Sequence, residues 1–374
     1  MRFNMRPASV RILLPLLAFA ILRPAAAMAQ ESSSTYGPLP VFELHSGFWI
    51  NLHHALYFEA KQRVTPSSPQ QRGNPGPQLK LRTMKDSAAA LTPAETTAWG
   101  NAVAYYSANY ANKDLLFNTD LMLLKNQLED FEDCDDLSGA RKKTCDAGLP
   151  GNVTPILDAA APVYRAHLWA DQDRANRRWI ARVAPLVEEQ GVGISQRLAD
   201  VYQTKWPKQK IRVDVTGYAN WAGAYTTLDP LRVTISSTDS RNQGDEAFEV
   251  LFHEASHGIA EPLQDAIVRE CRQRGKAIPR DLWHALIFYT TGEVIKPLLT
   301  STAGESQTPQ GTGKTNPIGP PAPARETYTP YAIREGLYQR GWNDYYQLLI
   351  RFWQPYLDNK STFDDAIARM VSAL

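Results

Sequence analysis

The sequence predicts an α+β protein, mostly helical, in which a small sheet feeds one histidine-bearing helix and further helices fill the N-terminal half. Three observations predict it. Residues 211–217 (IRVDVTG) and 231–237 (LRVTISS) alternate and are β-branched, which is the period of a strand. Most of the rest repeats its apolar residues at helical spacing, with capping residues at several starts. Between the second strand and the last third of the chain lies Leu251-Phe252-His253-Glu254-Ala255-Ser256-His257.

The chain has 374 residues, 43% hydrophobic and 21% charged, an ordinary composition for a globular protein with a large core. Its first 29 residues stand apart. Arg2, Arg6 and Arg11 precede an apolar run over 12–22, and Ala27-Met28-Ala29 has the small-x-small form of a cleavage site, so a secretory signal peptide is expected, cut before Gln30. That segment holds four arginines and no acid, so its removal takes the formal net charge from +1 to about −3. A weakly acidic mature chain has no basic surface for nucleic acid. No later stretch is long and apolar enough to span a bilayer. The expected location is therefore outside the cytoplasm, periplasmic or extracellular. Export allows Cys134 and Cys145 to pair across a polar loop, leaving Cys271 alone in a helical stretch.

After a polar stretch over 30–40, a helix is expected over 47–63. It holds two of the three neighbouring histidines His45, His53 and His54, so it either lines a cleft or is a packed aromatic helix with its polar groups hydrogen-bonded. Residues 64–78 are rich in Pro, Gly, Ser and Gln and read as a loop. Thr92-Pro93-Ala94-Glu95 is a helix start with a capping box and a proline in the first turn, and helices are expected over 93–112 and 113–131. Residues 153–189 read as helical, bent at Pro155 and Pro162, with His167 on a structural helix. Gly191 and Gly193 are expected to break the pattern before a helix over 194–205. The character changes near Trp206, which divides a mainly helical N-terminal region (30–205) from a catalytic region (206–374). Residues 220–227 are a further strand or a turn.

The heptapeptide contains His-Glu-x-x-His. Residues four apart on a helix share a face, so His253 and His257 can aim two imidazole nitrogens at one point. Neutral imidazole is a good zinc ligand. Glu254 lies about 100° round the helix, where a carboxylate reaches a water at the metal without ligating. Phe248, Leu251, Phe252, Ala255 and Ile259 form an apolar stripe beside the histidine face. Asp245 is a candidate N-cap, and Pro262 is expected to end the helix near Ala260.

A third ligand is needed. A helix over 282–296, capped by Asp281 and stopped by Pro297, offers His284 and Glu293. They are nine residues apart, half a turn out of phase and about 13 Å apart along the axis, so one straight helix cannot give both to one metal. Glu261, one turn beyond His257, points past the site. Glu293 is the expected ligand, because a charge in an otherwise apolar helix needs a partner and a metal is one.

His253-Glu254-x-x-His257 with Glu293 on a later helix resembles the gluzincins, the thermolysin-like clan of zinc peptidases. The likeness covers residues 230–296, and the Asn-Glu-x-x-x-Asp form that surrounds the third ligand in thermolysin is absent. It implies a zincin-like arrangement of sheet and motif helix. It also implies a secreted zinc-dependent peptidase with His253, His257 and Glu293 as ligands, Glu254 as general base, and peptide or protein substrates. No His-x-x-Gly-x-x-His pattern is present, which sets the chain apart from the metzincins. Tyr328, Tyr331 and Tyr338 are candidate donors to an oxyanion. Residues 301–325, rich in Pro, Gly, Ser and Thr, read as a long loop before C-terminal helices. Two other functions fit the same residues: an exported zinc-binding or scaffolding protein without turnover, and a zinc hydrolase of non-peptide amides. Glu254 favours turnover, since a purely structural site needs no base.

Overall fold

The structure, a computed structural model, describes residues 41–64, 81–138, 149–150, 152–302 and 327–374. The expected signal peptide, Cys145, and almost all of the loops expected over 64–78 and 301–325 lie outside them. Residues from Pro38 to Leu374 form one compact unit. It is mostly helical with one small mixed sheet.

The elements begin with strand β1 (Phe42–His45) and helix α1 (Phe48–Val64). Helices α2 (Pro93–Asn109), α3 (Thr119–Asp130) and α4 (Val153–Tyr164) follow, then the long α5 (Ala170–Val201). Strands β2 (Ile211–Thr216), β3 (Ala224–Leu228) and β4 (Leu231–Ser236) lead into α6 (Gly244–Ser256), α7 (Glu261–Gln273) and α8 (Leu282–Thr302). The chain ends in three short helices, α9 (Tyr331–Arg334), α10 (Asn343–Leu348) and α11 (Gln354–Leu357), and the longer α12 (Phe363–Ala373).

The sheet order is β1-β2-β4-β3. β1, β2 and β4 run parallel, with Leu44 opposite Val213 and Val213 opposite Val233. β3 is the antiparallel edge, with Tyr225 opposite Thr234. Strand β1 was not foreseen. Four residues before a helix leave too short an alternation to register, and they bring the expected N-terminal region into the sheet of the expected catalytic one. The division near Trp206 is therefore crossed by the sheet itself.

The alternation along the strands has a different cause from the usual one. One face, with Val213, Val215, Val233 and Ile235, packs with α5 and α6 in the larger core. The other face carries Arg212, Asp214, Arg232, Tyr225 and Thr227, and it too is covered, by α1 and α3. Lys125 of α3, wholly buried, sits 2.9 Å from Glu129 and donates to Thr227 at 3.0 Å. Arg232 pairs with Glu129 at 2.9 Å and Asp130 at 2.7 Å. Arg212 bridges Asp214 and Glu132, and His45 reaches Glu132 at 2.8 Å. Polar strand positions thus meet charged and hydrogen-bonding partners, as burial of charge requires.

Local signals set several boundaries. Thr92 and Glu95 close the expected capping box on α2. α3 begins at Thr119, later than expected, because Asn118 caps it through Leu121 N–H. α5 runs through Gly191 and Gly193 to Val201, where a break was expected. A side chain at Gly191 would sit 2.8 Å from Val41, so the glycine makes room for the approach to β1 and leaves the helix intact. α8 likewise continues past Pro297. Between α4 and α5, residues Arg165–Trp169 form a π-helical turn. Cys134 is disulfide-bonded and Cys271 is free and buried.

Removing Lys125 tests the polar layer. Lys125→Ala leaves Glu129 buried with half its charge partners, and breaking such a pair costs about 3–5 kcal/mol. Urea denaturation of this variant is expected to show a loss of that order; a loss below about 1 kcal/mol contradicts the assignment.

Candidate metal centre

The motif helix α6 lies against α8, and the two run antiparallel. Three pairings show it. Glu249 of α6 faces Gly292 of α8, where an added Cβ would come 3.2 Å from Oε1. One turn on, the His253 ring stacks on Phe288, with centroids 3.6 Å apart and planes 18° apart. A further turn on, His257 meets His284, ring to ring at 5.1 Å. Positions four apart on each helix are paired in reverse order, as ridge packing demands.

This packing decides the third partner of the motif. His253, His257 and His284 each offer one ring nitrogen, and these nitrogens all lie within 4.8 Å of one another. Nε2 of His253 and Nε2 of His284 are 3.3 Å apart. Two ligands on a tetrahedral zinc with bonds of about 2.05 Å sit roughly 3.3 Å from each other, so this spacing fits one metal. Among the described residues no other group of three or more His, Cys, Asp or Glu is so arranged.

Glu293, the expected third ligand, does not join the group. It sits beside Gly292, at the far end of the paired stretch. Its electrostatic influence falls on Glu249 and on Tyr289, and Lys296 lies 3.8 Å away. An antiparallel pair sends the first turn of α8 to the end of α6. His284, in that first turn, therefore reaches His257, while a residue nine positions later is carried away along the axis. Glu261 opens the next helix, α7, and is not part of the group either. α6 itself ends earlier than expected, at Ser256, with His257 as its C-cap still in helical conformation. Asp245 lies in its first turn, and Gln243 is the N-cap.

Burial tunes the titratable groups. It drives His257 down to about 3 and His284 to about 4, and holds His253 well below the ordinary histidine range. All three are neutral at pH 7, the state in which imidazole ligates a metal. Glu254 is pushed up to about 7 by burial, opposed by a hydrogen bond from the Thr226 hydroxyl at 2.7 Å. Thr226 is on the edge strand β3, between Tyr225 and Thr227, which face the polar layer. The strand's alternation therefore gives one face to α3 and one to the motif.

The returning chain closes the site. Tyr328 donates its hydroxyl to Glu249 Oε2 at 2.7 Å, and the Tyr331 main-chain N–H donates to the same oxygen at 2.9 Å. Arg334 pairs with Glu246. The Tyr331 ring lies parallel to Phe288, 8° between planes, and Trp342 stands edge-on to His284. Of the three candidate oxyanion donors, Tyr328 is committed to Glu249 and Tyr338 donates to Ala285 O at 3.4 Å. The Tyr331 phenol is raised mainly by burial, and Glu254 adds to the shift.

The other histidines are elsewhere. His53 meets the Tyr106 hydroxyl at 2.9 Å, and His54 lies between Ile50 O and the Tyr225 hydroxyl. Both are fully buried against the polar face of the sheet. His167 pairs with Glu95 at the start of α2. Two surface hollows, one lined by Arg174, Arg177 and Arg178 and one by Arg82 and His167, do not touch the site. No protein family, curated protein or solved structure matches this chain.

Two outcomes follow. His284→Ala is expected to remove bound zinc and Glu293→Gln to retain it, by metal analysis of purified, folded variants; the reverse pattern contradicts the grouping. The second concerns pH. Five histidines, His53, His54, His253, His257 and His284, are held below the ordinary histidine range mainly by burial and refuse protons that the unfolded chain binds below about 6.5, so each lowers stability as pH falls. Glu129, Glu249 and Glu254, raised to about 7, act oppositely between about 7 and 4.5. The thermal midpoint of chelator-treated protein is expected to fall gently down to about pH 4.5 and steeply below it; a flat profile from 4.5 to 3.5 contradicts this.

Proposed function

We propose that the protein is an exported zinc-dependent hydrolase, acting on peptide bonds, with His253, His257 and His284 as the metal ligands and Glu254 as the general base. The observation that carries this reading is the convergence of three neutral imidazoles within 4.8 Å of one another, two from the motif helix that also presents Glu254 and one from α8. Three histidines leave a fourth tetrahedral position open, which is the composition of a catalytic rather than a closed structural site. Bound there, zinc supplies Lewis-acid chemistry: it makes water nucleophilic near neutral pH and polarises a carbonyl.

The chain's own groups supply the rest. Glu254, tuned to about 7, takes a proton from the attacking water and returns it to the leaving amine. The Thr226 hydroxyl holds Oε2 of that carboxylate from β3. Tyr331, whose ring lies parallel to Phe288, has no hydrogen bond on its hydroxyl among the described residues, which leaves that hydroxyl able to donate to the developing oxyanion. The antiparallel edge strand next to the motif helix agrees with the zincin-like arrangement implied by the resemblance, while a histidine in place of a glutamate as third ligand departs from the gluzincin pattern. The disulfide at Cys134 supports an oxidising location outside the cytoplasm. Among the described residues no helix is long and apolar enough to cross a membrane.

Glu254→Gln separates the roles. Zinc content is expected to stay near one per chain while hydrolysis of a mixed peptide library falls about 10²- to 10⁴-fold. Undiminished turnover in this variant contradicts the assignment of the base. A wild-type protein that binds zinc and cleaves no peptide leaves the non-peptide amide reading in its place.

A further inference from the structure

Glu249 is a buried carboxylate in the site's helix pairing that the proposed chemistry does not use. It is 1% exposed, and it lies one turn before His253 on the face that packs on α8. Oε2 is occupied by the Tyr328 hydroxyl and the Tyr331 N–H. Oε1 is buried and has no hydrogen-bond partner. So does Nδ1 of His253 lie buried without a partner. One of these atoms is an acceptor. The other is a donor whenever Nε2 is used as a ligand, because a neutral imidazole then carries its proton on Nδ1.

The geometry relates the two. His253 turns Nε2 toward His284, at the His257 end of the paired stretch. Nδ1 is one carbon back in the ring, nearer the main chain, and the polar group one turn back on this face is Glu249. Side chains four apart on a helix are within reach of each other. Gly292 makes the space: a side chain there would crowd both Pro330 and Oε1. Leaving a buried donor and a buried acceptor both unmet is costly, so a fold that places them one turn apart has a use for both.

We propose that Glu249 is the outer carboxylate of the metal centre, a positioning residue whose Oε1 takes the hydrogen bond from Nδ1–H of His253 and so fixes Nε2 on the metal. The two atoms are not bonded to each other in the structure, so the link is made by a small turn of either side chain or across one water. The same carboxylate then ties two things together: a ligand through Oε1, and the Tyr328–Tyr331 segment through Oε2. A glutamine cannot replace it, since its amide has one accepting end and both ends here must accept. The inference rests on the zinc-centre reading above.

The test uses the full mature chain loaded with Zn²⁺. Zinc affinity is measured by competition with a chelator, and the His253 ring protons by ¹⁵N-edited NMR. In the wild type, an Nδ1 proton of His253 protected from solvent exchange is expected. Glu249→Gln is expected to weaken zinc binding by about 10- to 100-fold and to lose that protection. Wild-type affinity and protection in Glu249→Gln overturn the proposal, as does an exchange-exposed Nδ1 proton in the wild type, which needs no variant to fold. A wild type that does not bind zinc at the three histidines fails the centre itself, a different result from zinc binding that is indifferent to Glu249.

Discussion

The antiparallel packing of α6 on α8 is the constraint on which the site depends. It turns two helical repeats into paired positions: Glu249 with Gly292, His253 with Phe288, His257 with His284. Each pair has a different job. The first holds a buried carboxylate in a gap left by a glycine. The second fixes a histidine ring by stacking it on an aromatic face. The third completes a cluster of imidazoles. Slide one helix by a turn and none of the three survives.

Two covers keep this pairing in place. On the sheet side, β3 presents Thr226 to Glu254 and, one residue away, Thr227 to Lys125. The charge layer under α1 and α3 thereby holds the strand that holds Glu254. On the other side, the chain returning at 327–342 is fastened through Glu249 and Glu246 and lays Tyr331 and Trp342 against the rings. Burial from both sides keeps the three histidines neutral and raises Glu254 and Glu249. A largely buried site of this kind strengthens the electrostatic contacts inside it, and makes unpaired polar atoms correspondingly costly.

Much of this was legible in the sequence. The motif's spacing placed two histidines and a glutamate on one helix, and alternation located β2 and β4. The capping box at Thr92 marked the start of α2. What could not be read was tertiary. Whether His284 or Glu293 meets the motif depends on the direction in which α8 crosses α6, and one straight helix is compatible with either. Glu293 needs no metal to offset its charge, because it is partly exposed and lies 3.8 Å from Lys296. β1 was too short to register. The glycines in α5 and the proline in α8 were read as breaks because local propensity was weighed without the packing around them. Alternation does not say what covers the polar strand positions, and their partners come from α3, some hundred residues away.

The claim at the centre of the account is that three imidazoles and no carboxylate hold the metal. X-ray absorption at the zinc edge of the loaded, full-length mature protein tests it most directly. The account predicts three histidine nitrogens at about 2.0–2.1 Å with one further light-atom ligand. A shell with two histidines and a protein carboxylate, or zinc that is not bound by imidazole at all, contradicts it.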